Sequence, residues 1–97
     1  MKLNRLLASV NIFIDLPQKD NVLSELSKLQ NIEEIYEVAG EYNIVSLISA
    51  SSLEEFRDVL HKSVMKIKGV KSTITTVILK RYEGVIGAKE AKIDVLK

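Results

Sequence analysis

The order in which two hydrophobic periods follow one another constrains this chain more than any other feature. Four runs alternate apolar residues every second position and two repeat them every three to four, in the order strand, helix, strand, strand, helix, strand. The first strand spans Leu6 to Asp15, with Ala8, Val10, Ile12 and Ile14 on one face and Ser9, Asn11 and Phe13 on the other; Pro17, which lacks an amide donor, ends it. Val22, Leu23, Leu26 and Leu29 then form one stripe on a helix predicted over 18–29, with Asp20 and Glu25 near its positive end.

The second strand, Ile32 to Ala39, carries Glu33, Glu34 and Glu37, a composition suited to a sheet edge protected against further pairing. Ala39-Gly40-Glu41-Tyr42 reads as a two-residue hairpin, because glycine at the first central position suits a type II′ turn, and leads into a third strand from Tyr42 to Ala50. Ser51 and Ser52 each precede a glutamate by three residues, so either register supplies a capping box for the second helix. Leu53, Phe56, Leu60, Val64 and Ile67 form the stripe of that helix, Gly69 stops it, and a last strand runs from Val70 to Arg81.

Right-handed crossovers leave one dominant solution for this order: an α+β, ferredoxin-like βαββαβ fold, a four-stranded antiparallel sheet in the order 4-1-3-2 with both helices on one face. With 97 residues, 46% of them hydrophobic and a net charge of +1, residues 1–97 are expected to form one domain, with a core over about 6–81. Residues 82–97 are an extension, either a short extra strand around Ile93 to Leu96 or a mobile end.

Two helices cover one sheet face, and the other should turn polar if it meets water. It does not: Phe13, Val45, Leu47, Val77 and Leu79 offer a second apolar set, and the expectation is a face-to-face dimer through those five residues. Which of the two apolar faces serves is left open by the pattern.

Composition removes most chemistries. Without cysteine there are no disulfides or thiolate ligands, and one histidine, His61, excludes a histidine-rich metal site. His61 has no nearby partners of triad type and reads as a helix boundary residue; Glu33, Glu34, Glu37 and Glu41 read as a solvated edge rather than a hard-cation site. No glycine opens a helix in a phosphate-cradling pattern. Catalytic residues, metal and cofactor are therefore all expected to be absent, and the chain is expected not to be an enzyme. Charge is uneven, −5 over residues 1–59 and +6 over 60–97, but the cations of the second part lack interleaved aromatics, so direct DNA binding is not expected. The longest uncharged stretch, Tyr42 to Leu53, is far short of the ~20 residues that span a bilayer, and Met1 to Arg5 lead into no signal peptide, so a cytoplasmic protein without membrane partners is expected.

Turns and edges hold the remaining candidates. Free amides at Gly40-Glu41-Tyr42-Asn43 suit a carboxylate, and Thr73, Thr75 and Thr76 place hydroxyls within an apolar strand. The run Val38-Ala39-Gly40-Glu41-Tyr42-Asn43-Ile44, then Phe56 on a helix and Gly69-Val70-Lys71-Ser72-Thr73-Ile74-Thr75, resembles the effector (RAM) domain of the Lrp/AsnC transcriptional regulators over Leu6 to about Lys80. The resemblance implies a ligand-sensing domain that dimerises through its sheets, assembles into octamers or similar rings, and binds an amino acid in a cleft between dimers. By position it nominates Gly40, Glu41, Tyr42 and Asn43 on the turn, Leu53 at the helix start, and Thr75, Thr76 and Val77 on the last strand. Asn43 stands where the family usually has aspartate, which replaces a charged contact to the ligand's ammonium with a neutral one. Few residues precede the first strand, so the resemblance implies a stand-alone effector domain without the helix-turn-helix, acting on transcription through full-length regulators. The alternatives are an enzyme of the dimeric α+β barrel kind and a purely structural assembly subunit.

Overall fold

The computed structural model describes residues 5–39 and 43–82. In chain order they form β1 (Leu6–Ile14), α1 (Lys19–Ser27), β2 (Ile32–Val38), β3 (Asn43–Ala50), α2 (Leu53–Lys62) and β4 (Val70–Val77). A 3-10 turn at Leu16–Gln18 precedes α1, and another at Val64–Lys66 follows α2. All pairings are antiparallel and the sheet order is β2-β3-β1-β4, the expected ferredoxin-like topology.

The core lies between the sheet and the helices. Ala8, Val10, Ile12 and Ile14 of β1 and Ile44, Ile48 and Ala50 of β3 are buried against Val22 and Leu26 of α1, Phe56 of α2, and Val64. Fully burying each of the larger side chains stabilises the domain by about 1.5–3 kcal/mol. The predicted stripe of the second helix is split. Regular helix ends at Lys62, Ser63 sits at φ −118°, and Val64 enters the core from the 3-10 turn. Leu53, first in the predicted stripe, is half exposed rather than buried.

Capping resolves the two serine registers. Ser52 is the N-cap and accepts the Glu55 amide at 3.0 Å, while Glu55 Oε1 accepts both the Ser51 hydroxyl and, at 2.7 Å, the Ser51 amide. These hydrogen bonds, from the Ser51 hydroxyl first, then from its amide and from Asn31, hold the Glu55 carboxyl at a pKa of about 2. Asn31 Nδ2 also donates to the Ser49 carbonyl at 2.8 Å, so one amide ties the entry to β2 to the end of β3 and to α2. At the other end of the sheet Gly69 takes φ +108°, and its carbonyl accepts the Asp15 amide at 2.8 Å.

Pairing ends earlier than expected in β4, at Val77, and the phase of that strand is also different. Phe13 pairs with Ser72 but Ile14 pairs with Val70, so Lys71 is an extra residue opposite a continuous β1. Such a bulge exchanges the faces of everything beyond it. Val77 pairs with Ala8 and Thr75 with Val10, which puts both on the helix side. Ile74, paired with Asn11, lies on the open face with Phe13. Leu79 lies past the end of β4 and is 93% exposed. The open face therefore carries Phe13, Val45 and Leu47 as expected, joined by Ile74 in place of Val77 and Leu79. The possible strand around Ile93 to Leu96 lies outside the described residues.

Candidate functional site

Two of the nominated ligand residues, Asn43 and Leu53, lie at the two ends of β3. Its first residue, Asn43, pairs with Val38 of β2 and with Phe13 of β1 at one end of the sheet. Gly40, Glu41 and Tyr42 themselves lie outside the described residues, as does the expected two-residue turn. Leu53 follows the other end of β3, where the Ser52 cap starts α2. Roughly 23 Å of strand separates the two ends, at about 3.3 Å per residue.

The β4 candidates fall between these ends. Thr75 is level with Val10 and Ser46, and Val77 with Ala8 and Ile48, two strands across from β3, or about 10 Å. Thr76 points to the open face while Thr75 and Val77 take the helix side. Within one chain the five described ones, Asn43, Leu53, Thr75, Thr76 and Val77, are thus spread over both ends of β3 and both faces of β4 and do not converge on one cleft.

The open face is the second feature. Tyr36 and Val38 of β2 and Ile74 of β4 are 50%, 37% and 58% exposed, beside the partly buried Val45, Leu47 and Phe13. In their midst Asn11 holds its Oδ1 buried without a hydrogen-bond partner among the described residues. The sequence pattern does not single out Ile74, because β4 is apolar in both phases, through Ile74 and Ile78 as well as Val77 and Leu79.

The acidic group of β2 is divided between faces. Glu37 lies toward the helices and binds Lys19 Nζ at 2.6 Å, whereas Glu34 accepts the Tyr36 hydroxyl on the open face. The first contact raises the Lys19 pKa and the second raises that of Tyr36. A register shift between Ile32 and Glu34 turns Glu33 toward Ser49, whose hydroxyl donates to it at 2.7 Å. Among the described residues no three histidine, cysteine, aspartate or glutamate side chains gather as a metal site. His61 is exposed in the last turn of α2. No helix among the described residues is long and apolar enough to cross a membrane.

The element order and sheet order are those of a ferredoxin-like α+β domain. Residues 7–84 match the family model of the Lrp/AsnC ligand binding domain, and the chain belongs to that family. TTHA0845 from Thermus thermophilus superimposes with a TM-score of 0.74 at 25% identity, covering 81% of this chain and 99% of that one. The feast or famine regulatory protein Rv3291c from M. tuberculosis, complexed with L-methionine, has a TM-score of 0.69 at 30% identity, over 82% of this chain and 54% of its own. A homocitrate synthase from Saccharolobus islandicus is 31% identical over 61 residues, which is 63% of this chain and 13% of the synthase. The chain thus spans about an eighth of that relative's length.

Proposed function

We propose that the chain is an amino-acid-sensing assembly module rather than an enzyme, in which ligand occupancy biases association between copies. The observation that supports this reading is that Asn43 begins β3 and Leu53 follows its far end, so a cleft that holds both needs a second chain. The methionine of the M. tuberculosis relative supports an amino acid as the ligand. Gly40, Glu41, Tyr42 and Asn43 of one copy hold its charged groups. Leu53 of another, with Thr75 and Val77 from the helix side of β4, lines the ligand's side chain, while Thr76 on the open face stands apart from that cleft. A ligand bound in the assembled state alone shifts assembly by its differential affinity.

Association begins at the open face. Phe13, Val45, Leu47, Ile74, Tyr36 and Val38 lose their water against a second copy, and dimers then join into an octamer or similar ring. Transcription is modulated through mixed assemblies with full-length Lrp/AsnC regulators, without direct DNA contact by this domain.

Calorimetry against the twenty amino acids tests the reading. At least one binds, and Gly40→Val or Asn43→Ala weakens it; no binding at millimolar concentration of any removes the sensor. The homocitrate synthase match favours a second reading, in which the same module regulates a biosynthetic enzyme by association. Co-purification with a regulator or with an enzyme separates the two.

A further inference from the structure

The register of the sheet sets out the open face in rows that cross all four strands. The middle row, in the order β2-β3-β1-β4, is Tyr36, Val45, Asn11 and Ile74. The rows on either side run from Val38 to Ser72 and from Glu34 to Thr76. Asn11 is thus an amide on an inner strand, in a row otherwise aromatic and aliphatic. Its Oδ1 is already buried in the single chain, with no hydrogen-bond partner among the described residues. A buried acceptor left unpaired is destabilising, and an aliphatic side chain at this place would avoid that cost. At the centre of a face that a second copy covers, such an acceptor marks where that copy supplies a donor.

Symmetry narrows which residue supplies it. A two-fold axis through the middle of the face, whether along the strands or across them, brings Asn11 within one strand spacing, about 5 Å, of its own copy in the plane of the interface. Facing sheets stand about 10 Å apart, a gap that two asparagine side chains reach across. The terminal torsion of an amide is soft, so each group can turn oxygen and nitrogen outward together, donating through Nδ2 and accepting at Oδ1. Charge permits the same contact. In the three rows Glu34 alone is charged, and it stands at a corner. Either axis sets it against Thr76 or Val38 of the second copy rather than against itself.

We propose that Asn11 selects like for like at the open face: its amide pairs with the amide of Asn11 in a second copy. This inference rests on the reading of the open face as the dimer face. A chain that presents an aliphatic side chain there leaves the amide unpaired and is disfavoured as a partner. The same rule restricts mixed assemblies to chains with a hydrogen-bonding side chain at this place.

Two measurements on the full chain test it. Isotope-filtered NMR on dimers mixed from labelled and unlabelled chain is expected to show contacts from the Asn11 side-chain amide protons of one copy to the Asn11 β protons of the other. In exchange experiments followed by native mass spectrometry, parent and Asn11→Val are expected to sort. Their mixed dimer should associate about tenfold or more below the geometric mean of the two like dimers. Statistical mixing overturns the proposal, as do NMR contacts that set any other residue, of either copy, against the Asn11 amide. The NMR contact needs no variant and decides the matter even where the Val chain does not fold. A parent that sediments as a monomer removes the dimer reading itself, whereas a parent dimer that Ile74→Lys dissociates but that mixes statistically with Asn11→Val removes this inference alone.

Discussion

Replacing Ile74 by lysine tests the open face where the bulge in β4 decides it. In the single chain Ile74 is 58% exposed. Full burial of an isoleucine stabilises by about 1.5–3 kcal/mol, so covering the remaining 58% contributes about 0.9–1.7 kcal/mol per copy. A two-fold interface uses the residue twice, and Ile74→Lys is expected to raise the dimer dissociation constant roughly 20- to 300-fold. Desolvation of the new ammonium makes this a lower bound. Sedimentation equilibrium across nanomolar to micromolar concentrations reads the constant directly. Val77→Lys is the matched control: it lies one strand position along from Thr76 but on the helix side, and it should leave the dimer constant within about twofold. A parent chain that sediments only as a 10.9 kDa monomer at micromolar concentration refutes the reasoning, as does an Ile74→Lys constant equal to the parent's or a larger effect at Val77.

Other changes probe the scaffold and the ligand. Gly69→Ala forces a side chain onto φ +108° and brings its Cβ to 2.4 Å from Gln18 Cβ and 2.9 Å from Val22 Cγ2, so a loss of about 2–4 kcal/mol is expected in urea unfolding. Ser52→Ala removes the α2 cap and should cost about 1 kcal/mol by the same measurement. Glu55 has a depressed folded pKa of about 2, so its contribution is present above the ordinary carboxyl range and is lost as pH falls toward 2; the urea midpoint of Glu55→Gln should therefore decline less steeply than the parent's over that acid range. Asn43→Asp restores the charge usual in the family at this position and should tighten whichever amino acid calorimetry finds, whereas unchanged affinity would remove Asn43 from the ligand's ammonium.

Much of this architecture was legible because local and global preferences agree. The long alternation of Ala8, Val10, Ile12 and Ile14 admits one inward face, and the serine pair before Glu54 and Glu55 marks a helix start whichever serine caps it. Where two local solutions were equally good, the pattern gave no decision. Glu55 reaches back to Ser51 and sideways to Asn31, a contact 24 residues distant in sequence that no spacing rule anticipates. The row that sets Asn11 between Val45 and Ile74 was likewise invisible, since its residues come from four separate strands.

The sequence by itself determined the succession of elements, and with it the antiparallel sheet and its two helices, because hydrophobic period, caps and breakers act over a few residues. Tertiary structure decided which face each β4 side chain occupies. With isoleucine or valine available in both phases, alternation is degenerate, and one extra residue at Lys71 sends Val77 toward the helices and Ile74 to the open face. It also decided that Asn43 and Leu53 fall at opposite ends of one strand with the β4 candidates between them, since distance along a strand and across paired strands exists only once the register is set.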